Sequence, residues 1–175
     1  YVLRIYIWLA SRSLLAFAAL PKELRSRTRF IVIGEDAPEK DLIEAERLGI
    51  HKRVKIISGS SQVPELLLAA DLLIHPSLKD SAGMVILESI VAGLPVLTTS
   101  SCGYAFHVEK AQAGVVCPMP FQQEFLNKQL ESMLLSEEKK SWKENGIAYG
   151  QEQDLYSMPQ TAVNIMVQAA RSYSQ

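Results

Sequence analysis

The chain has 175 residues, of which 48% are hydrophobic, and its formal net charge at pH 7 is −1. This length fits a single domain with a sizeable core, and the apolar fraction excludes an intrinsically disordered chain. The nearly balanced charge gives no indication of a nucleic-acid partner. The two cysteines, Cys102 and Cys117, match no metal-ligand spacing and could form one disulfide at most, so a reducing cytoplasm is the simplest setting.

The first twenty residues are rather apolar and contain Arg4 and Arg12. These charges argue against a membrane-spanning helix, and the segment lacks the basic start and the small-residue cleavage site of a signal peptide. Residues 1–8 have the composition of a strand, but they could also extend the helix predicted after them. Because the chain does not begin with methionine, we interpret it as part of a longer protein.

Apolar runs of strand length alternate with helical patterns along the first two thirds of the chain. The predicted strands are residues 29–34, 54–58, 71–75, 96–99 and 114–117. The predicted helices are residues 11–20, 39–48, 63–70, 84–92 and 106–111, followed by 121–135, 137–151 and 159–172. This order predicts an α/β fold with a Rossmann-like parallel sheet, helices on both faces and a helical C-terminal tail. In such sheets ligands bind beyond the carboxyl ends of the strands.

Residues 71–99, DLLIHPSLKDSAGMVILESIVAGLPVLTT, read as strand, loop, helix and strand, and they contain two carboxylates. Asp80 lies in the loop, and Glu88 lies about two turns into the helix. Glu88 could accept hydrogen bonds from a pair of vicinal ribose hydroxyls. Gly93 is predicted to end the helix, with Pro95 after it.

Three small residues, Ser81, Ala82 and Gly83, stand at the start of this helix. A backbone without bulky side chains can approach a ligand closely. The first turn of a helix offers unpaired N–H groups and a partial positive charge, which suit a phosphate. A nucleoside diphosphate is one ligand that fits this arrangement.

The sequence DSAGMVILESIVAGLPV resembles the acid–seven residues–acid motif of retaining GT-B glycosyltransferases of family 4, also called group 1. The likeness extends over roughly residues 11 to 165, and within the family it is greatest to the branch that adds glucose to a heptose of the lipopolysaccharide core. It implies that residues 1–175 form a single domain, the nucleotide-sugar (donor) half of such an enzyme, and that the N-terminal acceptor domain is absent.

The resemblance also implies roles for individual residues. The second acid of the motif, here Glu88, binds ribose, and the first, here Asp80, contacts hydroxyls of the donor sugar at the catalytic centre. Backbone N–H groups next to Ser81 would hold the diphosphate; they belong to Ala82, Gly83 and Met84. The strand end at Gly59 and Ser60 would face the base.

The chain departs from the family pattern at three places. The family usually has Glu where this chain has Asp80, and close relatives have Arg where it has Ser60. A loop with Arg and Lys, which neutralise the leaving diphosphate, is expected near residues 7–10, where the chain reads IWLA. We therefore expect the chain to be inactive by itself.

The resemblance implies a UDP-sugar donor, most simply UDP-glucose, and no cofactor. No D-x-D sequence occurs, which agrees with transfer without a metal. The acceptor would be the lipopolysaccharide core, bound through the missing domain at the cytoplasmic face of the inner membrane, and the exposed interdomain face could pair two copies. The alternatives are another hexosyltransferase, a GT-B epimerase, or a degenerate, non-catalytic domain that serves as an interaction module.

The remaining candidate side chains give weaker indications. His75, at the end of a predicted strand, is as readily a packed histidine as a site residue, and Tyr104 could equally pack or line the cleft. His107 is interpreted as an ordinary surface residue, and the two cysteines as buried small side chains. The basic runs at residues 22–29 and 51–55 could meet anionic lipid or a phosphorylated acceptor, but we interpret them as solvated faces.

Overall fold

The structure, a computed structural model, describes residues 3–7, 10–34, 38–58 and 63–153. The strands in this part of the chain are β1 Leu3–Ile7, β2 Thr28–Gly34, β3 Val54–Ser58, β4 Leu72–His75, β5 Val96–Thr99 and β6 Gly114–Cys117. The helices are α1 Ala10–Ala19, α2 Lys22–Ser26, α3 Pro38–Arg47, α4 Val63–Ala69, α5 Met84–Val91, α6 Ala105–Ala111, α7 Gln123–Leu135 and α8 Lys139–Glu152, with a 3-10 turn at His51–Arg53. The predicted helix at residues 159–172 lies outside the described residues.

The strands form one parallel sheet in the order β3-β2-β1-β4-β5-β6. This is the doubly wound order of Rossmann-like folds, so the predicted α/β class is confirmed. The order reverses between β1 and β4, and in such sheets ligands bind beyond the carboxyl ends of the strands at this reversal. Residues 1–8 were open between strand and helix; the helical alternative is wrong, because β1 pairs with a strand on each side.

The sheet separates two apolar cores. Helices α1, α3 and α7 cover one face, where Phe17 stacks on Phe30 with ring centroids 4.8 Å apart. Helices α4, α5 and α6 cover the other face. Successive residues of β4 point into different cores, since Leu72 and Ile74 belong to the first and Leu73 to the second. A strand buried on both faces therefore reads as a continuous apolar run.

Helix α2 lies within the basic run at residues 22–29, which was interpreted as a solvated face. Leu24 is buried, and Thr28 donates its hydroxyl to the Leu24 carbonyl at 2.8 Å. The basic side chains of Lys22, Arg27 and Arg29 are exposed, in agreement with a solvated face, and the uncharged Leu24 and Thr28 turn into the core. The pattern was missed because one buried leucine in a charged segment gives no helical period.

Helix α5 ends as predicted. The amide of Leu94 donates to the Ser89 carbonyl at 2.8 Å, and the amide of Gly93 donates to the Ile90 carbonyl at 2.9 Å. This pair of bonds is a Schellman motif, which confirms Gly93 as the terminating residue. Within the described part of the chain, the structure contains no helix that is both long and apolar enough to cross a membrane.

Candidate functional site

A pocket of about 280 Å³ opens beyond the carboxyl end of β4, beside the switch in strand order. Its lining residues come from β4, the following loop and the first turns of α5; they are His75, Asp80, Ala82, Gly83, Met84, Val85 and Glu88. Five of the predicted site residues are thus brought together. Ser81 is exposed beside the pocket without lining it, and Gly59 and Ser60 lie outside the described residues. A second pocket, of about 220 Å³, lies at the opposite ends of β4 and β5 and contains none of the predicted residues.

Gly83 forms the N-cap of α5 and turns the chain into the helix. Its backbone is left-handed, with φ 74° and ψ 54°, a conformation that favours glycine. A Cβ atom at this position would lie 2.9 Å from the Cys102 sulfur, which is too close. Among the described side chains, none forms a cap hydrogen bond with this helix. Of the three amides predicted to hold the diphosphate, those of Ala82 and Gly83 contribute hydrogen bonds to Asp80 instead, whereas the amide of Met84, in the first turn of the helix, stays available to a ligand in the pocket.

The Asp80 carboxylate is held at both oxygens. Oδ2 lies 2.9 Å from Nε2 of His75, and Oδ1 accepts the Ala82 amide at 3.2 Å. Burial raises the pKa of Asp80, but these hydrogen bonds outweigh burial, and the pKa lies below its usual value. Asp80 is therefore a fixed, ionised carboxylate at neutral pH.

His75 is completely buried at the end of β4. Burial lowers the pKa of His75, and the opposing effect of the Asp80 hydrogen bond and charge is smaller. The imidazole is therefore neutral at pH 7, and we assign its proton to Nε2, which donates to Asp80. Its Nδ1 has no hydrogen-bond partner within the part of the chain that the structure describes.

Hydroxyl groups at the end of β5 and just after it hold the end of β4 and the loop that follows it. Thr98 donates to the carbonyl of His75 at 2.8 Å, and Ser101 donates to the carbonyl of Ser77 at 2.6 Å. Thr99 also donates to the Ser77 carbonyl. These contacts satisfy buried carbonyls and fix the path of the loop toward Asp80. These contacts were not predicted from the sequence, where the run of hydroxyl residues in TTSS was the available signal.

Backbone contacts join the same two loops further on. The amide of Gly103 donates to the Asp80 carbonyl at 3.0 Å, and the amide of Tyr104 donates to the Ala82 carbonyl at 2.7 Å. A Cβ on Gly103 would lie 2.0 Å from the Ser81 carbonyl oxygen, so only glycine permits this approach. Tyr104 therefore contributes to the loop pairing through its backbone.

Glu88 lies one turn further along α5 than Met84. Residues four apart share one face of a helix, and both side chains are exposed and line the pocket, Met84 with 54% of its surface accessible. The site therefore combines the amino terminus of α5, a fixed carboxylate at Asp80 and a second carboxylate that faces open solvent.

Beside the pocket, His75, Asp80 and Cys102 each offer one atom that could ligate a metal, and these three atoms lie within 4.8 Å of one another. The imidazole and the carboxylate already share a hydrogen bond. Burial first, and then the charge of Asp80, raise the pKa of Cys102 to about 11, so the thiol keeps its proton at neutral pH. This arrangement favours a hydrogen-bonded cluster over a metal centre, and metal-independent chemistry stays a prediction. Cys102 and Cys117 are both buried, as predicted.

His107 is not an ordinary surface residue, and that interpretation is wrong. It is half-buried, its Nδ1 lies 2.7 Å from the Tyr149 hydroxyl, and its ring meets that of Tyr104 edge-on at 5.2 Å. The contact joins α6 to α8. Burial, followed by the charge of Lys110, lowers the pKa of His107.

We expect the lowered pKa of His75 to make the protein less stable in mild acid. Between the folded pKa and the unfolded value of about 6.5, the unfolded chain binds a proton that the folded chain does not, so stability falls as the pH falls. One such group contributes up to about 1.4 kcal/mol per pH unit. Urea unfolding from about pH 7.5 to 5 should show a smaller loss for His75→Gln than for the unmodified chain.

The lowered pKa of His107 also makes stability fall as the pH falls. The His75→Gln variant should therefore retain part of the pH dependence, and a double His75→Gln, His107→Gln variant should retain less of it. The lowered pKa of Asp80 affects stability only at more acidic pH. Its stabilising contribution is fully present above the pKa of the unfolded chain and is lost as the pH falls through the lower pKa of the folded protein. Parallel slopes for the unmodified chain and both variants would contradict the assignment of neutral, buried histidines.

Comparison with known proteins gives consistent matches. Residues 10–149 match the family model of the group 1 glycosyl transferases. The chain is 47% identical over 156 residues to the lipopolysaccharide glucosyltransferase WaaG of Escherichia coli, which is 89% of this chain and 42% of that protein. A crystal structure of WaaG, a glycosyltransferase involved in lipopolysaccharide biosynthesis, superposes with a TM-score of 0.88 at 42% identity and covers 93% of this chain and 46% of that one.

The fold extends to more distant proteins. The structure of Anabaena HepE in complex with UDP-glucose superposes with a TM-score of 0.77 at 21% identity, over 94% of this chain and 48% of that one. The chain thus spans less than half the length of these relatives. The matched family model, the relative and the GT-B architecture lead to one conclusion: the chain belongs to the group 1 glycosyl transferases.

Proposed function

We propose that this chain is the donor-binding half of a retaining glycosyltransferase, which moves glucose from UDP-glucose to a heptose of the lipopolysaccharide core. The observation that carries the proposal is the pocket at the strand switch, where the amides of α5 meet two carboxylates, Asp80 and Glu88. A nucleotide sugar has the complementary groups, because an anionic diphosphate joins two sets of neutral hydroxyls.

The relatives support the choice of donor and acceptor. The Escherichia coli protein is named a lipopolysaccharide glucosyltransferase, and the Anabaena protein, which shares the fold, was crystallised with UDP-glucose. We propose that the pocket of this chain binds the same class of donor.

Each part of the site has a proposed role. The first amides of α5, from Met84 onward, hold the diphosphate, since those of Ala82 and Gly83 are engaged by Asp80, and Glu88 accepts both ribose hydroxyls. Asp80 accepts hydroxyls of the donor sugar next to the carbon that is transferred. Charge-assisted hydrogen bonds of this kind are each worth about 1.5–3 kcal/mol. A base facing Gly59 and Ser60 stays a prediction, since those residues lie outside the described part.

The rest of the machinery would come from elsewhere in a longer protein. The relatives are more than twice as long as this chain. We propose that the additional length supplies the acceptor site, at the cytoplasmic face of the inner membrane, and that transfer requires it. Sugar transfer places negative charge on the leaving diphosphate, and cationic groups stabilise that charge.

One observation favours a second candidate, a domain of this fold that binds a nucleotide without catalysing transfer. Residues 7–10 read IWLA, where the family pattern places Arg and Lys. A site without these cations would still bind a nucleotide through α5 and Glu88. Another hexose or an epimerase reaction remains compatible with the same donor site.

Calorimetric titration of the chain with UDP tests the proposal, with ADP as the competing nucleotide. We expect saturable binding of UDP that ADP displaces poorly, because the α5 amides recognise the diphosphate and the base distinguishes the two ligands. Rebuilding the full-length protein and assaying glucose transfer then separates the enzyme from the non-catalytic alternative. A folded chain that binds neither nucleotide would refute the donor-site assignment.

A further inference from the structure

His75 lies directly behind Asp80, and neither the motif nor the proposed function assigns it a role. We propose that His75 is a positioning residue, which orients the Asp80 carboxylate toward hydroxyls of the donor sugar. This inference rests on the proposed function and adds to it the group that sets the geometry of the sugar contact.

The hydrogen bonds define the orientation of the carboxylate. His75 donates through Nε2 to Oδ2 at 2.9 Å, and Ala82 donates its amide to Oδ1 at 3.2 Å. Two donors on different oxygens fix both the position and the plane of the group. The Gly83 amide and the Cys102 thiol also interact with this carboxylate, so its acceptor capacity for a ligand lies on the exposed part of the side chain, which lines the pocket. Asp80 has 27% of its side chain exposed, whereas His75 has none.

The hydrogen-bond donor, His75, is anchored in the sheet, whereas the hydrogen-bond acceptor, Asp80, lies in a loop. His75 is the last residue of β4, where its register partner on β5 is Thr98, and the Thr98 hydroxyl binds the His75 carbonyl at 2.8 Å. β4 also pairs with β1 on its other side. A loop carboxylate would otherwise sample several rotamers, and restricting it before the ligand arrives lowers the entropy lost on binding. His75 thus extends the rigidity of the central strands to Asp80.

A neutral hydrogen-bond donor is better suited than a cation to orienting the Asp80 carboxylate. An arginine or lysine behind Asp80 would compensate its charge, while the imidazole of His75 holds the oxygen and leaves the full negative charge directed at the sugar. The Cys102 thiol, on the same side, keeps its proton and adds no charge. The carboxylate therefore faces the pocket both oriented and uncompensated.

The test compares the affinities of UDP and UDP-glucose for His75→Gln, His75→Leu and the unmodified chain. The amide nitrogen of glutamine can occupy the place of Nε2 and donate, whereas leucine fills the volume without donating. We expect His75→Leu to lower the UDP-glucose to UDP affinity ratio about tenfold, the loss of roughly one charged hydrogen bond. His75→Gln should keep the ratio within about threefold, and UDP affinity should be unchanged in both.

An Asp80→Asn background separates positioning from a general structural effect. If His75 acts through the carboxylate, His75→Leu should change the ratio in the unmodified chain and should have no further effect in Asp80→Asn. An unchanged ratio in His75→Leu, or equal losses for UDP and UDP-glucose, would overturn the inference and leave the proposed function standing. Failure of the unmodified chain to bind UDP would overturn both.

Discussion

Replacing Glu88 by alanine is expected to weaken UDP binding by about ten- to a hundredfold and to leave the fold unchanged. The ribose would lose its charge-assisted hydrogen bonds to the Glu88 carboxylate, and the free energy of such bonds corresponds to this loss of affinity. Glu88 is exposed on α5, so its truncation leaves no cavity, and alanine is the strongest helix former. Calorimetry with UDP measures the effect, and circular dichroism confirms that the helix content is retained.

A ribose analogue makes the assignment specific. If Glu88 binds the ribose hydroxyls, 2′-deoxy-UDP should bind the unmodified chain more weakly than UDP, and this difference should largely disappear in Glu88→Ala. Glu109→Ala is the matched control, because Glu109 is also an exposed glutamate within a helix and does not line this pocket. The same penalty for the deoxy analogue in both proteins, or full UDP affinity in Glu88→Ala, would place the ribose elsewhere.

The fold was predictable to the extent that local pattern determines it. Strands buried on both faces read as apolar runs, as LLIH does in β4, and alternation with helices predicted the parallel sheet. The reversal of strand order between β1 and β4 appears in no local pattern, because it depends on which strands pair. Residues 1–8 were ambiguous because their apolar residues suit a strand and a buried helix alike, and only the pairing of β1 with its neighbours decides between the two.

The site was predictable from a motif at its centre and not from its surroundings. Asp80 and Glu88 were identified because the sequence around them resembles the acid–seven residues–acid motif, and both line one pocket in the structure. The importance of His75 could not be decided, since it depends on a loop that returns and brings Asp80 within 2.9 Å. Thr98, near the end of β5, and Cys102, just after that strand, join the cluster, and sequence separation conceals such contacts.

Gly83→Ala is expected to weaken UDP binding at least tenfold and to lower the free energy of unfolding by about 1–3 kcal/mol. The left-handed backbone disfavours any side chain, and the added methyl would lie 2.9 Å from the Cys102 sulfur and 3.2 Å from Cδ1 of Ile86. It would also come into van der Waals contact with Oδ2 of Asp80, at 3.6 Å. Relief of these contacts would turn the first amides of α5 away from the diphosphate.

Gly49→Ala separates the backbone cost from the effect on the site. Gly49 is also left-handed, with φ 67°, but nothing lies within 4 Å of a Cβ built there, and it does not line the pocket. We expect this control to lower stability by about 1–2 kcal/mol and to leave UDP affinity unchanged. Adding Cys102→Ala to Gly83→Ala should restore part of the stability by removing the nearest steric contact. If Gly83→Ala retains the UDP affinity of the Gly49→Ala control, the amino terminus of α5 does not hold the diphosphate.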